Sequence, residues 1–376
     1  RSDTVRRSIL LDSKADLLVH GMAERQLVAL ARRLAAGEDA RAIRGLRGTA
    51  WWTSKESELP AGSIRLPPFA AVTGADEASR RAFAESFAAQ YRASDPWSAK
   101  PLVEEAEGRF VVVEPPEFPL GREELDRVWA LPFERRAHPL HEAAGGVPAL
   151  SEVKFSVAAT RGCFGACAFC AIAFHQGRVP SSRSRESIVA EVERFARDPD
   201  WKGIVHDVGG PTANMWGAYC ADDPSSCRRP DCLYPRRCPH FKCDEAGLVG
   251  MLQEVAALEG VRHLRVSSGV RYDMSRENTL FMRTLISDFV GGQLKVAPEH
   301  SEDRVLALMR KPSLSRFEEF LALFRRESQR AGKEQYVVPY LISAFPGCTA
   351  GDMRKLAAWL KERNWSPQQL QCFIPT

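Results

Sequence analysis

Apolar and polar positions alternate at Val153, Phe155, Val157 and Ala159, the two-residue period of a strand with one buried face. The period then lengthens to that of a helix over Ser187–Ala196 and shortens again over Gly203–Val208. The same exchange recurs four times more. Helices are predicted at Gly247–Leu258, Thr279–Phe289, Phe317–Ala331 and Ala350–Arg363, and strands at His263–Ser267, Gln293–Ala297, Gln335–Ile342 and Gln368–Ile374. Strands alternating with helices predict right-handed βαβ crossovers and a parallel sheet. Periodicity alone leaves open whether six such repeats lie flat or curve into a partial barrel.

The first 150 residues are less regular. Asp16–Gly21 reads as a short buried strand, and Met22–Ala36 as a helix with Leu27, Leu30, Ala31 and Leu34 on one face. One βα unit cannot make a sheet, so its partners are expected elsewhere. Helices are predicted at Ala78–Tyr91 and Glu123–Ala130 and a strand at Arg109–Val113, which Pro115, Pro116 and Pro119 break. The region reads as part of a domain followed by a connecting arm.

Composition adds limits. The 376 residues are 44% hydrophobic and 27% charged, with 52 basic and 48 acidic side chains. A net charge of +4 names no class of partner. Mean hydropathy is −0.27, and no apolar run approaches the length of a membrane span, so no membrane partner is expected. The chain opens Arg1-Ser2-Asp3 without Met or an apolar leader, and closes on Phe373-Ile374-Pro375-Thr376 inside a predicted strand. The expectation is a cytoplasmic fragment of a longer protein, with whatever covers the last strand lying beyond Thr376.

Eight of the ten cysteines lie between Cys163 and Cys243. Without a secretory signal, clustered cysteines more often bind metal than form disulfides. Cys163, Cys167 and Cys170 follow the predicted first strand with C-x3-C-x2-C spacing. Three thiolates on one loop can converge on one centre and leave a fourth position open, the mark of a reactive metal site. A zinc site borrowing a fourth ligand such as His175 is the bland alternative.

This loop, Thr160-Arg161-Gly162-Cys163-Phe164-Gly165-Ala166-Cys167-Ala168-Phe169-Cys170, resembles that of the radical-SAM superfamily. Further segments resemble its YgiQ-type family: Phe174-His175-Gln176-Gly177-Arg178, Asp207 to Met215, Ser268 to Asp273, Leu294 to His300 and Pro346-Gly347-Cys348-Thr349. The resemblance implies an α/β fold in which residues 151–376 form a partial (β/α)6 radical-SAM barrel. A Cys-rich insertion would occupy 216–244. Residues 1–50 would be the carboxyl-terminal part of an incomplete Rossmann-like domain, and 51–150 the connecting arm. No Asp-x-His-x-x-Gly cobalamin signature is present.

The resemblance further implies that Cys163, Cys167 and Cys170 hold a [4Fe–4S] cluster whose open iron binds S-adenosylmethionine. Reductive cleavage would yield a 5′-deoxyadenosyl radical that abstracts hydrogen from an unknown substrate. Phe169 would contact adenine and Gly209-Gly210 the methionyl amine. A reductase or flavodoxin-type electron donor would be required.

Residues at the carboxyl ends of barrel strands face an active site. By that rule Ser267 and Ser268 suit ribose, and Arg271 a carboxylate through a bidentate pair. Ile342 suits adenine, and Lys295, Glu299 and His300 suit proton transfer or substrate binding. Helix caps, ion pairs and plain core are the competing readings. A second group, Cys220, Cys227, Cys232 and Cys238, with Cys243 spare, suits a second Fe–S cluster, a structural zinc or free thiols. Arg228, Arg229, Arg236, Arg237 and Lys242 interleave there with Tyr234 and Phe241, which also suits RNA. The rival to an enzyme is therefore a zinc-stapled RNA-binding protein without catalysis. Cys348 and Cys372 read as buried thiols.

Overall fold

The computed structural model describes residues 4–227, 229–274, 280–367 and 370–374. Expectations at Arg1–Asp3, Arg228, Thr279, Gln368, Pro375 and Thr376 lie outside these described residues. The chain divides into two compact units. One runs up to Pro119 and takes in Phe174–Gly177 and Pro224–Ser226; the other holds the rest from Leu120.

The amino-terminal unit contains α1 (Ile9–Asp12), β1 (Leu17–Val19), α2 (Glu24–Ala35), β2 (Thr49–Thr53), β3 (Ile64–Arg65), α3 (Glu77–Arg92), β4 (Leu102–Ala106) and β5 (Arg109–Val113). The strands form one sheet in the order β1-β2-β5-β4-β3. All neighbours are antiparallel except β3 and β4. The cause of the β4–β5 hairpin is local: Glu107 and Gly108 take φ of +55° and +75°. Two residues at positive φ form the mirror-image turn that matches the twist of paired strands. Trp51, Val103 and Val112 are buried on one face, and Leu10 and Leu11 pack on Ala50, Ala106 and Val111.

Two expectations are corrected here. The sheet containing β1 is mixed and mainly antiparallel, unlike the parallel sheet of a Rossmann-like domain. The expected connecting arm of 51–150 is, as far as Pro119, the body of this sheet. On α2, Leu30 is buried, whereas Leu27 and Leu34 are 59% and 48% exposed. The predicted apolar stripe is thus only partly used, because α1 rather than α2 supplies the leucines of that sheet's core.

The second unit begins with α4 (Arg122–Trp129) and then alternates. Its main elements are β6 (Ser156–Ala158), α5 (Arg185–Phe195), β7 (Ile204–Val205), β8 (Asp207–Gly209), α6 (Glu245–Ala256), β9 (His263–Leu264), β10 (Gln293–Glu299), α7 (Leu314–Arg330), β11 (Tyr336–Ser343), α8 (Ala350–Glu362) and β12 (Gln371–Cys372), with shorter helices at Leu280–Thr284, Leu285–Phe289 and Asp303–Leu308 among those between them. β6 pairs with β8, β7 with β9, β10 with β11 and β11 with β12, all parallel. Local signals start the helices. The Ser184 hydroxyl accepts from the Ser187 amide at 3.0 Å and the Asp244 carboxylate from the Gly247 amide at 2.8 Å. Phe155, Phe195, Phe317, Phe324 and Trp359 anchor one continuous core between strands and helices. Cys372 is exposed on β12, a correction to the buried thiol expected there. β12 pairs only with β11 among the described residues.

In β10 one residue is inserted. Val296 faces Pro339 and Glu299 faces Leu341, so three steps on β10 meet two on β11. Pro298 lacks the amide that a regular ladder needs, and the bulge falls beside it. Glu299 leaves the bulge at φ +71° with its side chain buried.

Under β6, Arg183 is fully buried. It donates to the Ala158 carbonyl at 3.3 Å, the Ser187 carbonyl at 2.8 Å and the Glu191 carboxylate, which Arg135 also contacts. Burial pulls the Arg183 guanidinium down to about 10, so it stays charged at neutral pH. Glu191→Ala strands two cations and should cost about 3–5 kcal/mol in urea unfolding. A loss below about 1 kcal/mol, the scale of a surface pair, would refute that role.

The Thr349 hydroxyl and amide, together with Arg304, hold the Asp352 carboxyl at about 2, below its ordinary 3.8. A depressed carboxylate stabilises above the unfolded value and loses that contribution as pH falls through the folded one. The difference in urea midpoint between wild type and Asp352→Asn should therefore be full near neutrality and shrink as the pH falls from 3.8 toward about 2. A pH-independent difference would rule out the charge as its source.

Candidate functional site

The loop of Cys163, Cys167 and Cys170 leaves the carboxyl end of β6 through Gly162, at φ +79°. It is tied down along its length. The Ala168 amide donates to the Met309 carbonyl at 3.0 Å, and the Cys170 amide to the Cys167 carbonyl at 3.0 Å. The Ala166 amide donates to Asp231 Oδ2 at 2.9 Å, and the Cys232 amide to the Phe164 carbonyl at 3.2 Å. The last two partners belong to the Cys-rich insertion, so the insertion braces the loop. Phe164 stands edge-on to Phe241 at 5.2 Å, inside a small core with Met215, Leu233, Cys238 and Met274.

All ten cysteines are free thiols. Burial pushes the Cys163 and Cys170 thiols up, and the charges of the neighbouring loop cysteines push both further. Cys163 Sγ accepts from the Gly165 amide at 3.4 Å. Among the described residues, no three His, Cys, Asp or Glu side chains converge as a single metal ion requires. Three thiols that share a cubane bind three different irons, so their sulfurs stand farther apart than ligands of one ion. Partly buried thiols that oppose one another's charge fit a group that is itself electropositive.

A cation reaches this loop. Arg271 Nη1 donates to Cys167 Sγ at 3.5 Å. Asp273 takes the other side of the guanidinium at 3.0 and 2.6 Å, and Asn214 brackets the Arg271 backbone at 3.0 and 2.9 Å. Burial opposes the charge on Asp273, but Arg271 prevails and holds that carboxyl below its usual range. Burial equally opposes the Arg271 cation, and Asp273 with the loop thiols holds it well above the usual value. Beside them, Lys311 Nζ lies 4.0 Å from Glu299 Oε1, both nearly buried. Burial pushes the Glu299 carboxyl up, with Lys311 opposing, and Glu299 acts on Cys170 in turn. Tyr272 lies in the same buried network, its phenol pushed up by burial.

The other expected residues divide. Phe169 packs with Ile342, Val305, Met309 and Phe345, so the two residues assigned to adenine share one apolar face. A Cβ on Gly209 would stand 2.4 Å from Ser268 Oγ, and one on Gly210 2.6 Å from the Thr160 carbonyl oxygen. Both glycines thus serve the close approach of neighbouring strand ends. The Ser267 and Ser268 amides donate to Asp207 Oδ1 at 2.8 and 3.0 Å, and the Ser268 hydroxyl to its other oxygen. The Ser267 hydroxyl donates to the His206 carbonyl at 2.8 Å. These hydroxyls are occupied within the fold.

Lys295 is exposed, because the alternation of β10 buries Leu294 and Val296 and turns Gln293 and Lys295 outward. It is not brought to Glu299 and His300, a correction to that grouping. His300 is fully buried; its Nδ1 accepts from the Glu302 amide at 3.0 Å, and its Nε2 lies 3.6 Å from Cys348 Sγ. The Ser301 hydroxyl is buried without a hydrogen-bond partner. Cys348 is partly buried rather than core. Lys311, Asp273 and Asp207 were missed from the sequence. Asp273 alone had a signal, its place two residues after Arg271.

In the insertion, Tyr219–Cys220 pairs antiparallel with Phe241–Lys242. The Cys238 amide donates to the Cys232 carbonyl at 2.7 Å. Burial pushes the Cys232 thiol up to about 12, with Cys238 and Cys227 adding and Arg178 opposing. Cys243 Sγ instead accepts from Arg237 Nη2 at 3.5 Å. His175 groups with the amino-terminal unit.

Residues 1–156 match the sequence profile of the radical SAM N-terminal family. A UPF0313 protein of Geobacter sulfurreducens is 48% identical over all of this chain and 61% of its own length. UPF0313 proteins of Clostridium perfringens and Methanocella arvoryzae are 43% and 40% identical, over 99% and 100% of this chain and 56% and 62% of their own lengths. The chain thus spans about three-fifths of these relatives. Two structures of the radical S-adenosylmethionine methyltransferase TsrM from Kitasatospora setae share the fold, with a TM-score of 0.50 and 13% identity. They cover 97% and 96% of this chain, and it covers 52% of theirs. One holds tryptophan substrate and a SAM analogue, the other cobalamin and a [4Fe–4S] cluster. The family match and these relatives place the chain in the radical-SAM superfamily. Within that superfamily the chain belongs to the UPF0313 family. Among the described residues no helix is long and apolar enough to cross a membrane.

The brace on the loop is testable. Phe241→Ala removes the ring against Phe164 and should cost about 3–5 kcal/mol. It should also speed alkylation of Cys163 by iodoacetamide in the metal-free protein. An unchanged alkylation rate would show that the insertion does not shield the loop.

Proposed function

We propose that this chain is the catalytic part of a radical-SAM enzyme, its parallel strands curving into a partial (β/α)6 barrel. The observation that carries this reading is the loop itself: three thiols on one short loop, after the first strand of the second unit, partly buried and braced from two sides. Cys163, Cys167 and Cys170 would be the protein ligands of a [4Fe–4S] cluster, leaving one iron for S-adenosylmethionine. Such a cluster, when bound, supplies the electron that cleaves S-adenosylmethionine reductively, so that hydrogen is abstracted from a substrate.

The chain's own residues would do the positioning. Phe169 and Ile342 offer adenine a flat apolar contact on one side of the loop. The buried Ser301 hydroxyl, lacking a partner, is free to donate to a polar group of the cofactor or substrate. Glu299 and Lys311 form a nearly dry acid–base pair able to hold or pass a proton at Oε1 and Nζ, and His300 fixes the strand end beside them. Gly209 and Gly210 let the first three strand ends close tightly over the site. A reductase or flavodoxin-type protein would supply electrons in the cytoplasm. Cys220, Cys227, Cys232 and Cys238 would hold a second centre, iron–sulfur or zinc.

Anaerobic reconstitution with iron and sulfide, followed by dithionite and S-adenosylmethionine, tests the reading. The expected result is a brown protein that releases 5′-deoxyadenosine, with iron and product both lost in Cys163→Ala. A colourless zinc protein that releases none, or full activity in Cys163→Ala, would overturn it and favour a zinc-stapled RNA-binding protein.

A further inference from the structure

Arg271 was expected to bind a carboxylate of the cofactor, but its geometry gives it a different task. The guanidinium is occupied on one edge by Asp273 and turned on the other toward Cys167 Sγ. Both its backbone groups are clamped by Asn214. Its side chain is only 10% exposed. The cysteine loop is shaped to admit it: a Cβ at Gly165 would stand 2.4 Å from Arg271 Nη1 and 3.6 Å from Cys163 Sγ. Glycine at 165 therefore does more than let the loop turn. It is the passage through which a cation from the third strand reaches the sulfur of the second cysteine.

We propose that Arg271, held by Asp273 and admitted by Gly165, sets the reduction potential of the cluster bound by Cys163, Cys167 and Cys170. This rests on the cluster assignment above. A hydrogen bond and a buried positive charge at a ligand sulfur draw electron density from it and favour the reduced state. Asp273 offsets part of that charge. The two residues consequently act with opposite signs, which distinguishes tuning from a merely structural role. Arg271 is a positioning residue, since it touches a ligand rather than reacting atoms.

The test is an EPR-monitored redox titration of the reconstituted full chain without S-adenosylmethionine. The signal followed is the one that Cys163→Ala abolishes. Arg271→Ala should lower the midpoint, with the reduced-to-oxidised ratio at fixed potential falling about tenfold, or 59 mV for one electron. Asp273→Asn should raise it, and Arg271→Lys should restore much of the Arg271→Ala loss. Gly165→Ala, which displaces the guanidinium while leaving it in the chain, should lower the midpoint with Arg271 intact. Iron content measured alongside separates folding from tuning. Equal midpoints in all variants that hold iron, or shifts of one sign for Arg271→Ala and Asp273→Asn, would overturn the proposal. A wild-type chain that holds no cluster would instead overturn the assignment on which it rests.

Discussion

Burial opposes the ionisation of thiols, and this protein places three on one short loop and partly buries them. A thiolate withdrawn from water needs positive charge close by, and each added thiolate raises the need. The surroundings of Cys163, Cys167 and Cys170 answer that constraint. A cation, Arg271, is brought to the loop, and Asp273 and Asn214 fix it in place. Burial remains the dominant effect at Cys163, where Arg271 opposes it, and at Cys170, so both thiols stay raised. That imbalance is what an electropositive metal–sulfur group corrects. Much of the loop's backbone is also spent on hydrogen bonds to other segments, which hold the three thiols in place.

The same economy of charge governs the strand ends. A regular β10 would alternate through Lys295 and Ala297 and leave Glu299 on the outward register. The extra residue beside Pro298 breaks the alternation, so Glu299 turns in while Lys295 stays in solvent. An isolated buried carboxylate is costly, and Lys311 meets it from the segment after β10. Asp207 plays a structural counterpart at the next edge, accepting two amides and a hydroxyl from Ser267 and Ser268. The two carboxylates thus have distinct environments. Asp207 accepts from local donors, whereas Glu299 has Lys311 and Arg271 as opposing cations and a pKa raised by burial.

How much of this the chain announces depends on the range of the interaction. The strand–helix alternation after residue 155 is local and periodic, and β6 through β12 fall close to the positions it predicts. The cysteine loop is local too, and its spacing alone marks it. The amino-terminal sheet was misread because a two-residue turn, Glu107-Gly108, decides its topology, and a Glu at positive φ carries little warning. Lys295 was grouped with Glu299 by sequence proximity, which a single bulge undoes. Lys311 was invisible because its partnership with Glu299 spans a helix, and the chain singles out Arg271 without announcing its orientation. Side-chain direction is set by what lies opposite, here Asp273 and the gap at Gly165.

The insertion and the loop are best understood as one folded piece. Phe164 lies between two loop glycines, next to Cys163, yet its ring belongs to the core of the insertion and its carbonyl accepts from Cys232. Asp231 reaches the Ala166 amide while also accepting from the Leu233 and Tyr234 amides at 2.7 and 2.9 Å. Any change at Cys232, by metal binding or oxidation, therefore acts on hydrogen bonds at both ends of a three-residue stretch containing Gly165. That stretch is the one through which Arg271 approaches Cys167. The second cysteine group thus has a short mechanical route to the first, through one backbone hydrogen bond, one hydrogen bond from a backbone amide to a carboxylate, and one aromatic contact.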